Sequence, residues 1–217
     1  MLRGIVFDMD GVIIDSHPLH RRAWKTFLQT AGREVTDAEL DFILDGRKRE
    51  EILCHFLGEL SPSQIVDYGA RKDEMLRQLA EDMQPLRGVV EFLDSLSQVG
   101  IRIALATSAG HRRAHGTLRG LGLARYFDAI VTGDEVASGK PDPAIYRLVA
   151  ERLNEVPENL LAVEDAVSGV KSARAAGMRC VGIAPAERAE ELRAVGADLV
   201  ISDFQSLSLM QLEASFR

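Results

Sequence analysis

Four acidic residues directly follow two short apolar runs of the chain. Asp8 and Asp10 come after the first run, and Glu164 and Asp165 come after a later one. In extended backbone, residues two apart point the same way, so Asp8 and Asp10 would share one face. Carboxylates brought close together raise one another's pKa or recruit a cation. Hard carboxylate oxygens beside a phosphate suit Mg²⁺, and the sequence therefore predicts a site that needs this metal.

Other polar residues follow apolar runs in the same way. Thr107 and Ser108 end a second run, and Lys140 lies in the loop after a third. In an open parallel sheet, ligands bind beyond the carboxyl ends of the strands, so these groups and the four acids would face one crevice. With Asp10 protonated, the three remaining carboxylates are balanced by one Mg²⁺ and Lys140.

The apolar runs predict the strands of a parallel sheet. Continuous apolar runs separated by helix-length segments are typical of a sheet covered on both faces. The predicted strands comprise residues 4–7, 101–106, 129–131, 160–163, 180–183 and 199–201. The fold class is therefore α/β.

The stretch between the first two strands has a helical pattern and no convincing strand. Two capping boxes, at 36–39 and 61–64, mark helix starts within it. We expect an all-helical cap domain at residues 16–84, inserted into a core made of residues 1–15 and 85–217.

The composition limits the partners and the compartment. The chain of 217 residues has 26 basic and 33 acidic residues, a net charge of −7. This balance argues against a broad nucleic-acid or anionic-membrane surface. Cys54 and Cys180 lie in apolar runs and are interpreted as small buried hydrophobes. With neither a signal peptide nor a membrane span in the sequence, we expect a cytoplasmic protein that binds a small molecule.

Each candidate residue also has an ordinary explanation. An Asp-x-Asp-Gly turn is commonly just a loop, an acidic pair can complement a helix dipole, and a lone lysine is usually solvated. Residues 133–140 do not match a P-loop, and Ile13 stands where a calcium loop needs Gly. The joint occurrence of the candidates, in order, at successive strand ends favours a functional site.

The pattern resembles the haloacid dehalogenase-like superfamily, in its β-phosphoglucomutase and sugar-phosphatase branch. The resemblance covers essentially the whole chain and implies a Rossmann-like doubly wound parallel sheet core with an inserted helical cap. It rests on Phe7-Asp8-Met9-Asp10-Gly11-Val12, Ala106-Thr107-Ser108, Gly139-Lys140-Pro141-Asp142-Pro143 and Val163-Glu164-Asp165-Ala166-Val167-Ser168-Gly169-Val170.

The resemblance implies a role for each core residue. Asp8 would attack phosphorus and form an aspartyl-phosphate, and Asp10 would act as general acid and then base. Thr107 would contact the phosphoryl oxygens, and Lys140 would offset developing negative charge. Dehalogenases of this superfamily lack the second Asp, so dehalogenation is not expected.

The resemblance also implies a ligand set for Mg²⁺. Asp8, the backbone carbonyl of Asp10, and Asp165 would hold the ion, with Glu164 a ligand directly or through water.

Substrate selection would fall to the cap, with Ser108 contributing from the core. His20, Arg49 and Lys72 match positions that resemble an acid–base helper, a phosphate clamp and a substrate contact, and Gly46 begins the matching phosphate-gripping loop. The alternatives are an exposed helix histidine for His20 and an ordinary charged helix face for Lys72.

One segment departs from the mutase pattern. Ala109, Gly110 and His111 stand where a mutase carries a hydroxyl and a Lys-Asn pair that grip a second phosphate. The loss of that grip favours a phosphatase acting on a small sugar phosphate. Arg112 or Arg113 could compensate, so a β-phosphoglucomutase-like mutase stays open.

A phospho-receiver, which is not an enzyme, is a third hypothesis. Receiver domains are much shorter and lack both the cap and the second acid. The superfamily branch favours a monomer.

Overall fold

A parallel sheet organises the described part of the chain. The computed structural model describes residues 2–45, 47–79, 83–205, 207 and 212. Within them, six strands form one sheet in the order β3-β2-β1-β4-β5-β6, with every neighbouring pair parallel. The strands are β1 (Gly4–Phe7), β2 (Arg102–Thr107), β3 (Ala129–Thr132), β4 (Leu160–Glu164), β5 (Arg179–Ile183) and β6 (Leu199–Ile201). All six predicted strands are present.

Helices cover both faces of this sheet. On β1, Ile5 and Phe7 join one core cluster and Val6 joins the other, because successive strand residues point to opposite faces. Helices α4 and α5 pack in the first cluster, and α6, α7 and α8 pack in the second. Their bounds are α4 (Val89–Gln98), α5 (His111–Gly120), α6 (Ala144–Leu153), α7 (Val167–Ala176) and α8 (Ala189–Ala194). The predicted α/β, doubly wound fold is confirmed.

The strand order creates a crevice beside β1. The chain passes outward from β1 to β2 and β3, and then returns to place β4 on the other side of β1. Such a reversal is where open α/β sheets bind ligands, beyond the carboxyl ends of the strands. Asp8, after β1, meets Glu164 and Asp165, at the end of β4, at this reversal.

Three helices lie between β1 and α4 and have an apolar cluster of their own. They are α1 (His17–Thr30), α2 (Arg49–Leu57) and α3 (Pro62–Gln78). Trp24, Phe27, Leu40, Leu53 and Phe56 are among the buried members of the cluster. The short helix predicted after Thr36 is a 3-10 helix at Glu39–Leu44.

The connections to these helices run side by side. Asp15 N donates to Gln84 O at 3.0 Å, and Leu86 N donates to Ile13 O at 2.9 Å. The predicted boundaries, after residues 15 and 84, fall on this pair of connections. The division into core and cap domains stays a prediction.

The chain's apolar features are those of a folded core. None of the helices in the described ranges combines the length and apolar character needed to cross a bilayer. Cys180 is buried as expected, whereas Cys54 is only half-buried, and both are free thiols.

Candidate active site

The carboxyl ends of β1 and β4 bring three acidic side chains together. Asp8, Glu164 and Asp165 are all buried, and each offers an oxygen within 4.8 Å of the others. Gly11, with a φ of +76°, turns the chain after Asp8, and a Cβ at this glycine would overlap the Asp165 carboxylate. Strand-end placement therefore gathers the acids predicted from the sequence.

Lys140 links two of these acids. Its Nζ lies 2.6 Å from Asp8 Oδ1 and 2.5 Å from Glu164 Oε1, and its side chain is 1% exposed. Burial alone would lower the pKa of Lys140, but the adjacent carboxylates of Asp8 and Glu164 raise it above its usual value. Tyr146 donates a further hydrogen bond to Glu164. Lys140 is thus a fixed cation beneath the site.

Negative charge exceeds positive charge at this point. Burial, together with Glu164 and Asp10, raises the pKa of Asp8 to about 7 although Lys140 opposes the shift. With all three carboxylates ionised, one ammonium leaves a net charge of −2, which a protonated His17 beside Asp165 would reduce to −1.

One oxygen of this cluster lacks a hydrogen bond. Asp165 Oδ2 is buried and accepts no hydrogen bond of acceptable geometry from the described residues. His17 Nε2 lies 2.9 Å from this oxygen; burial alone would lower the pKa of His17, but Asp165 raises it. A buried carboxylate oxygen without a hydrogen bond, in a site with excess negative charge, fits a metal ligand.

Asp10 points away from the acidic cluster and toward the helices. Ser16 Oγ donates to its Oδ1 at 2.6 Å, and Arg113 contacts both of its oxygens, with Nη1 2.9 Å from Oδ1. Burial alone would raise the pKa of Asp10, but Arg113 and His20 hold it well below its usual range. The protonated Asp10 of the charge count is wrong for this structure, because Arg113 supplies the neutralising charge instead.

His20 and Lys72 continue this network. Burial, and next the charge of Lys72, lowers the pKa of His20 to about 4, so the ring is neutral. Its Nε2 donates to Asp10 at 3.1 Å, and its Nδ1 accepts from Lys72 at 3.3 Å. Both side chains are buried, so neither is an exposed helix residue.

The remaining predicted residues lie around the same cavity. Thr107 is buried, and its Oγ1 accepts from Ala109 N at 3.1 Å. Arg49 pairs with Asp73, and Ser108 lines the cavity. Gly46 lies outside the described residues.

The cavity joins the strand ends to the helices. Its volume is about 320 Å³. Its walls include Asp8, Asp10, His20, Arg49, Lys72, Thr107, Ser108, Arg113 and Asp165. One space thus brings together eight of the eleven predicted site residues, whereas Lys140 and Glu164 are not among the residues that line it.

Sequence reasoning missed several contacts. His17, Ser16 and Tyr146 contact Asp165, Asp10 and Glu164, respectively. His17 stands three residues before His20, a helical spacing that could have marked both. Nothing in the pattern distinguishes Tyr146 from a core aromatic.

The fold and the site together define an α/β enzyme of the phosphoryl-transfer class. The family model for the haloacid dehalogenase-like hydrolases matches residues 2–177, and the chain belongs to this family.

Named relatives narrow the class. The chain is 37% identical to the phosphorylated carbohydrates phosphatase of Thermotoga maritima, over 82% of each chain. It is 32% identical to the β-phosphoglucomutase of Bacillus subtilis, over 96% of this chain and 92% of that one. The crystal structure of CbbY from Rhodobacter sphaeroides in complex with phosphate superposes with a TM-score of 0.86, at 30% identity, covering 98% of this chain and 100% of that chain. The prediction of a phosphatase in this branch of the family is confirmed.

Proposed function

We propose that this phosphatase hydrolyses the monoester of a small phosphorylated sugar through a phosphorylated Asp8. The observation that carries the proposal is the buried contact of Asp8 with Lys140 at the end of β1, facing a cavity that also holds Thr107. The relatives named above include a phosphatase of phosphorylated carbohydrates, which supports the substrate class.

Asp8 is the proposed nucleophile. One of its carboxylate oxygens forms a bond to phosphorus while the bond from phosphorus to the sugar oxygen breaks. Lys140, held at 2.6 Å from Asp8, offsets the negative charge that develops on the phosphoryl group. The Thr107 hydroxyl, at the end of β2, supplies a donor to a phosphoryl oxygen.

Asp10 is the proposed acid and base. It gives a proton to the departing sugar oxygen, and it then takes one from the water that attacks the aspartyl-phosphate. The second step breaks the bond between phosphorus and Asp8 and releases inorganic phosphate. Because Arg113 keeps Asp10 ionised in the substrate-free protein, this contact must loosen before the first step.

Mg²⁺ is the proposed cofactor. Asp8, Asp165 and the backbone carbonyl of Asp10 would hold it, with Glu164 directly or through water. When bound, the ion would neutralise charge on the phosphoryl oxygens. The excess negative charge of the site and the unbonded oxygen of Asp165 support this assignment.

Phosphate release tests the proposal. The protein with Mg²⁺ should release inorganic phosphate from members of a sugar-phosphate panel. Asp8→Asn should lose activity by about 10⁴-fold or more, because a neutral amide cannot attack phosphorus. Asp10→Asn should slow both steps, and acid-quenched labelled substrate should reveal phosphorylated protein. Comparable turnover by Asp8→Asn would exclude the covalent mechanism.

A β-phosphoglucomutase-like mutase is the second candidate. Arg113, a cation of α5, lines the cavity near residues 109–111, where a mutase carries the side chains that bind a second phosphate. Its positive charge favours retention of a bisphosphate. A mutase would interconvert glucose 1-phosphate and glucose 6-phosphate without releasing phosphate. Release of phosphate without interconversion would reject it.

A further inference from the structure

We propose that Arg113 is a specificity-determining residue that selects substrates carrying a second anionic group besides the phosphate to be transferred. The inference rests on the proposed function and names its substrate class. In the substrate-free protein, the carboxylate of Asp10 occupies the position that this second anion would take on the guanidinium.

Arg113 is built into the cavity wall. It lies in the first turn of α5, its side chain is 18% exposed, and it reaches both oxygens of Asp10. Its neighbour Arg112 is exposed and does not line the cavity. Of the two arginines that could replace the missing phosphate grip, Arg113 is thus the one that faces the substrate space.

The residues at the positions of the mutase grip place no other anion-binding side chain along the cavity, because the imidazole of His111 is not among the groups that line it. Ala109 is buried and has no polar atom in its side chain, and Gly110 has none either. The backbone N–H of His111 donates to Asp134 Oδ2 at 2.7 Å, so this donor is already paired. Of residues 109–113, Arg113 is therefore the one that brings a charged hydrogen-bond donor to the cavity.

Three cations crowd the wall that Arg113 shares with the helices. Among the described residues, Arg49, Lys72 and Arg113 form their ion pairs with two carboxylates, those of Asp10 and Asp73. Burial, and next the charge of Arg113, lowers the pKa of Lys72 to about 7. An added anion would relieve this repulsion, since opposite charges at short range stabilise the charged forms.

The two contacts of Arg113 exclude each other. A guanidinium that holds a carboxylate with two donors cannot hold a second anion with the same two donors. A second phosphate or carboxylate that engages this same fork of Nη1 and Nη2 would therefore displace Asp10 from Arg113. A substrate without that group leaves Arg113 on Asp10, the residue that the proposed mechanism needs to be free.

Matched substrate pairs test the inference. Fructose 1-phosphate and fructose 1,6-bisphosphate differ by a second phosphate, and glucose 6-phosphate and 6-phosphogluconate differ by a carboxylate. For each pair, the measured quantity is the ratio of kcat/KM for the doubly anionic substrate to that for its partner. We expect a ratio above one in at least one pair, and that pair identifies the anion. Ratios of one or less in both pairs would overturn the inference.

Substitution then assigns the preference to Arg113. Arg113→Ala should lower the preferred pair's ratio by about tenfold to a hundredfold, the range for losing hydrogen bonds to a charged group, by raising KM for the doubly anionic substrate and by freeing Asp10 for the singly anionic one. Arg112→Ala removes the same charge one residue away and should leave the ratio unchanged. A fall of less than tenfold, or an equal fall in Arg112→Ala, would contradict the assignment. A merely structural role through Asp10 would instead lower kcat for both members of the pair alike.

Two further measurements apply if Arg113→Ala does not fold or if none of the four compounds is hydrolysed. If Arg113→Ala does not fold, Arg113→Lys, which keeps the charge but not the two-donor fork, should lower the ratio at least threefold, and a smaller fall overturns the inference. If the unaltered protein hydrolyses none of the four compounds, none of them is a substrate, and binding tests the inference instead. Binding to Asp8→Asn, measured by calorimetry, should then still favour a doubly anionic compound tenfold. Arg113→Ala in the Asp8→Asn background should remove this preference. Any other result rejects the inference about Arg113.

Discussion

Two groups of charged residues at the site differ in how deeply their ion pairs are buried. We call Asp8, Lys140 and Glu164 the floor and Asp10, Arg49, Lys72 and Arg113 the wall. Lys140 and Glu164 are each 1% exposed, and Lys140 binds two carboxylates at once. The wall pairs are more accessible, with Arg49 and Asp73 at 38% and 39% exposed. Buried pairs cannot be broken without leaving a bare charge, whereas exposed pairs can exchange partners with water or substrate. The floor is therefore suited to holding the reacting groups in place, and the wall is suited to binding the substrate.

The largest expected effect comes from breaking the floor. Lys140→Met should lower the free energy of unfolding by about 3–5 kcal/mol, because it leaves buried carboxylates without their cation. Activity should also be lost. Urea denaturation measures the first effect and phosphate release the second.

The matched control is the same change at an exposed pair. Lys25 contacts Asp37 at 2.9 Å, with the two side chains 42% and 82% exposed. Lys25→Met should leave the unfolding free energy close to that of the unaltered protein. Equal losses in the two variants would show that burial does not set the cost of losing a charge partner, the difference on which the distinction between floor and wall rests.

A smaller effect is expected from filling the space behind the floor. A Cβ at Gly169, in α7, would overlap the Glu164 carboxylate, so Gly169→Ala must displace Glu164 or the helix. We expect a loss of about 1–3 kcal/mol in stability, as for other overpacked sites, together with reduced activity.

Gly116 offers the corresponding control. It lies in α5, and a Cβ added there would meet no atom of the described residues within 4 Å outside its own helix backbone and chain neighbours. Gly116→Ala should stabilise the protein by up to about 1 kcal/mol, because alanine favours a helix over glycine. A Gly169→Ala protein as stable and active as Gly116→Ala would show that Glu164 is not confined by α7.

The floor could be predicted from sequence far better than the wall. Asp8, Thr107 and Glu164 stand at strand ends, and apolar runs locate those ends to within a residue or so. The contact of Arg113 with Asp10 joins residues far apart in the chain, on α5 and in the loop after β1. Strand periodicity cannot reveal such a contact, because a helix can turn several side chains toward a neighbouring loop. The charge count from sequence therefore put a proton on Asp10, where the structure has Arg113.

The floor should also respond to pH, and the proposed Mg²⁺ should change that response. The pKa of Asp8 is raised to about 7 in the folded protein from an ordinary value near 3.8. For a carboxyl with a raised pKa, the stabilising contribution is complete below its unfolded value and is lost as pH rises through the folded one. The metal-free protein should therefore lose this contribution between about pH 4 and pH 7.

Mg²⁺ should restore the stability that is lost as pH rises, because the metal binds the ionised carboxylate of Asp8. From pH 8 to pH 5.5, protonation of a group with a pKa of about 7 should weaken Mg²⁺ binding by about 30-fold, worth about 2 kcal/mol. Thermal shifts across a Mg²⁺ titration at both pH values measure this. The dependence on pH should be much smaller in Asp8→Asn, and equal affinity at the two pH values in the unaltered protein would mean that Asp8 does not govern the site.

The smallest effect on stability is expected at the wall. Arg49 pairs with Asp73 in a half-exposed setting, so Arg49→Ala should change the unfolding free energy by less than about 1 kcal/mol. Its KM for a sugar phosphate should nevertheless rise by about tenfold or more, because a hydrogen-bonded charge contact with the substrate is lost. Arg71→Ala breaks the comparable pair with Asp67, which lies on α3 outside the cavity, and should leave KM unchanged. If Arg49→Ala cost several kcal/mol in stability with KM unchanged, its pairing would be structural, and the wall would have to be redefined without it.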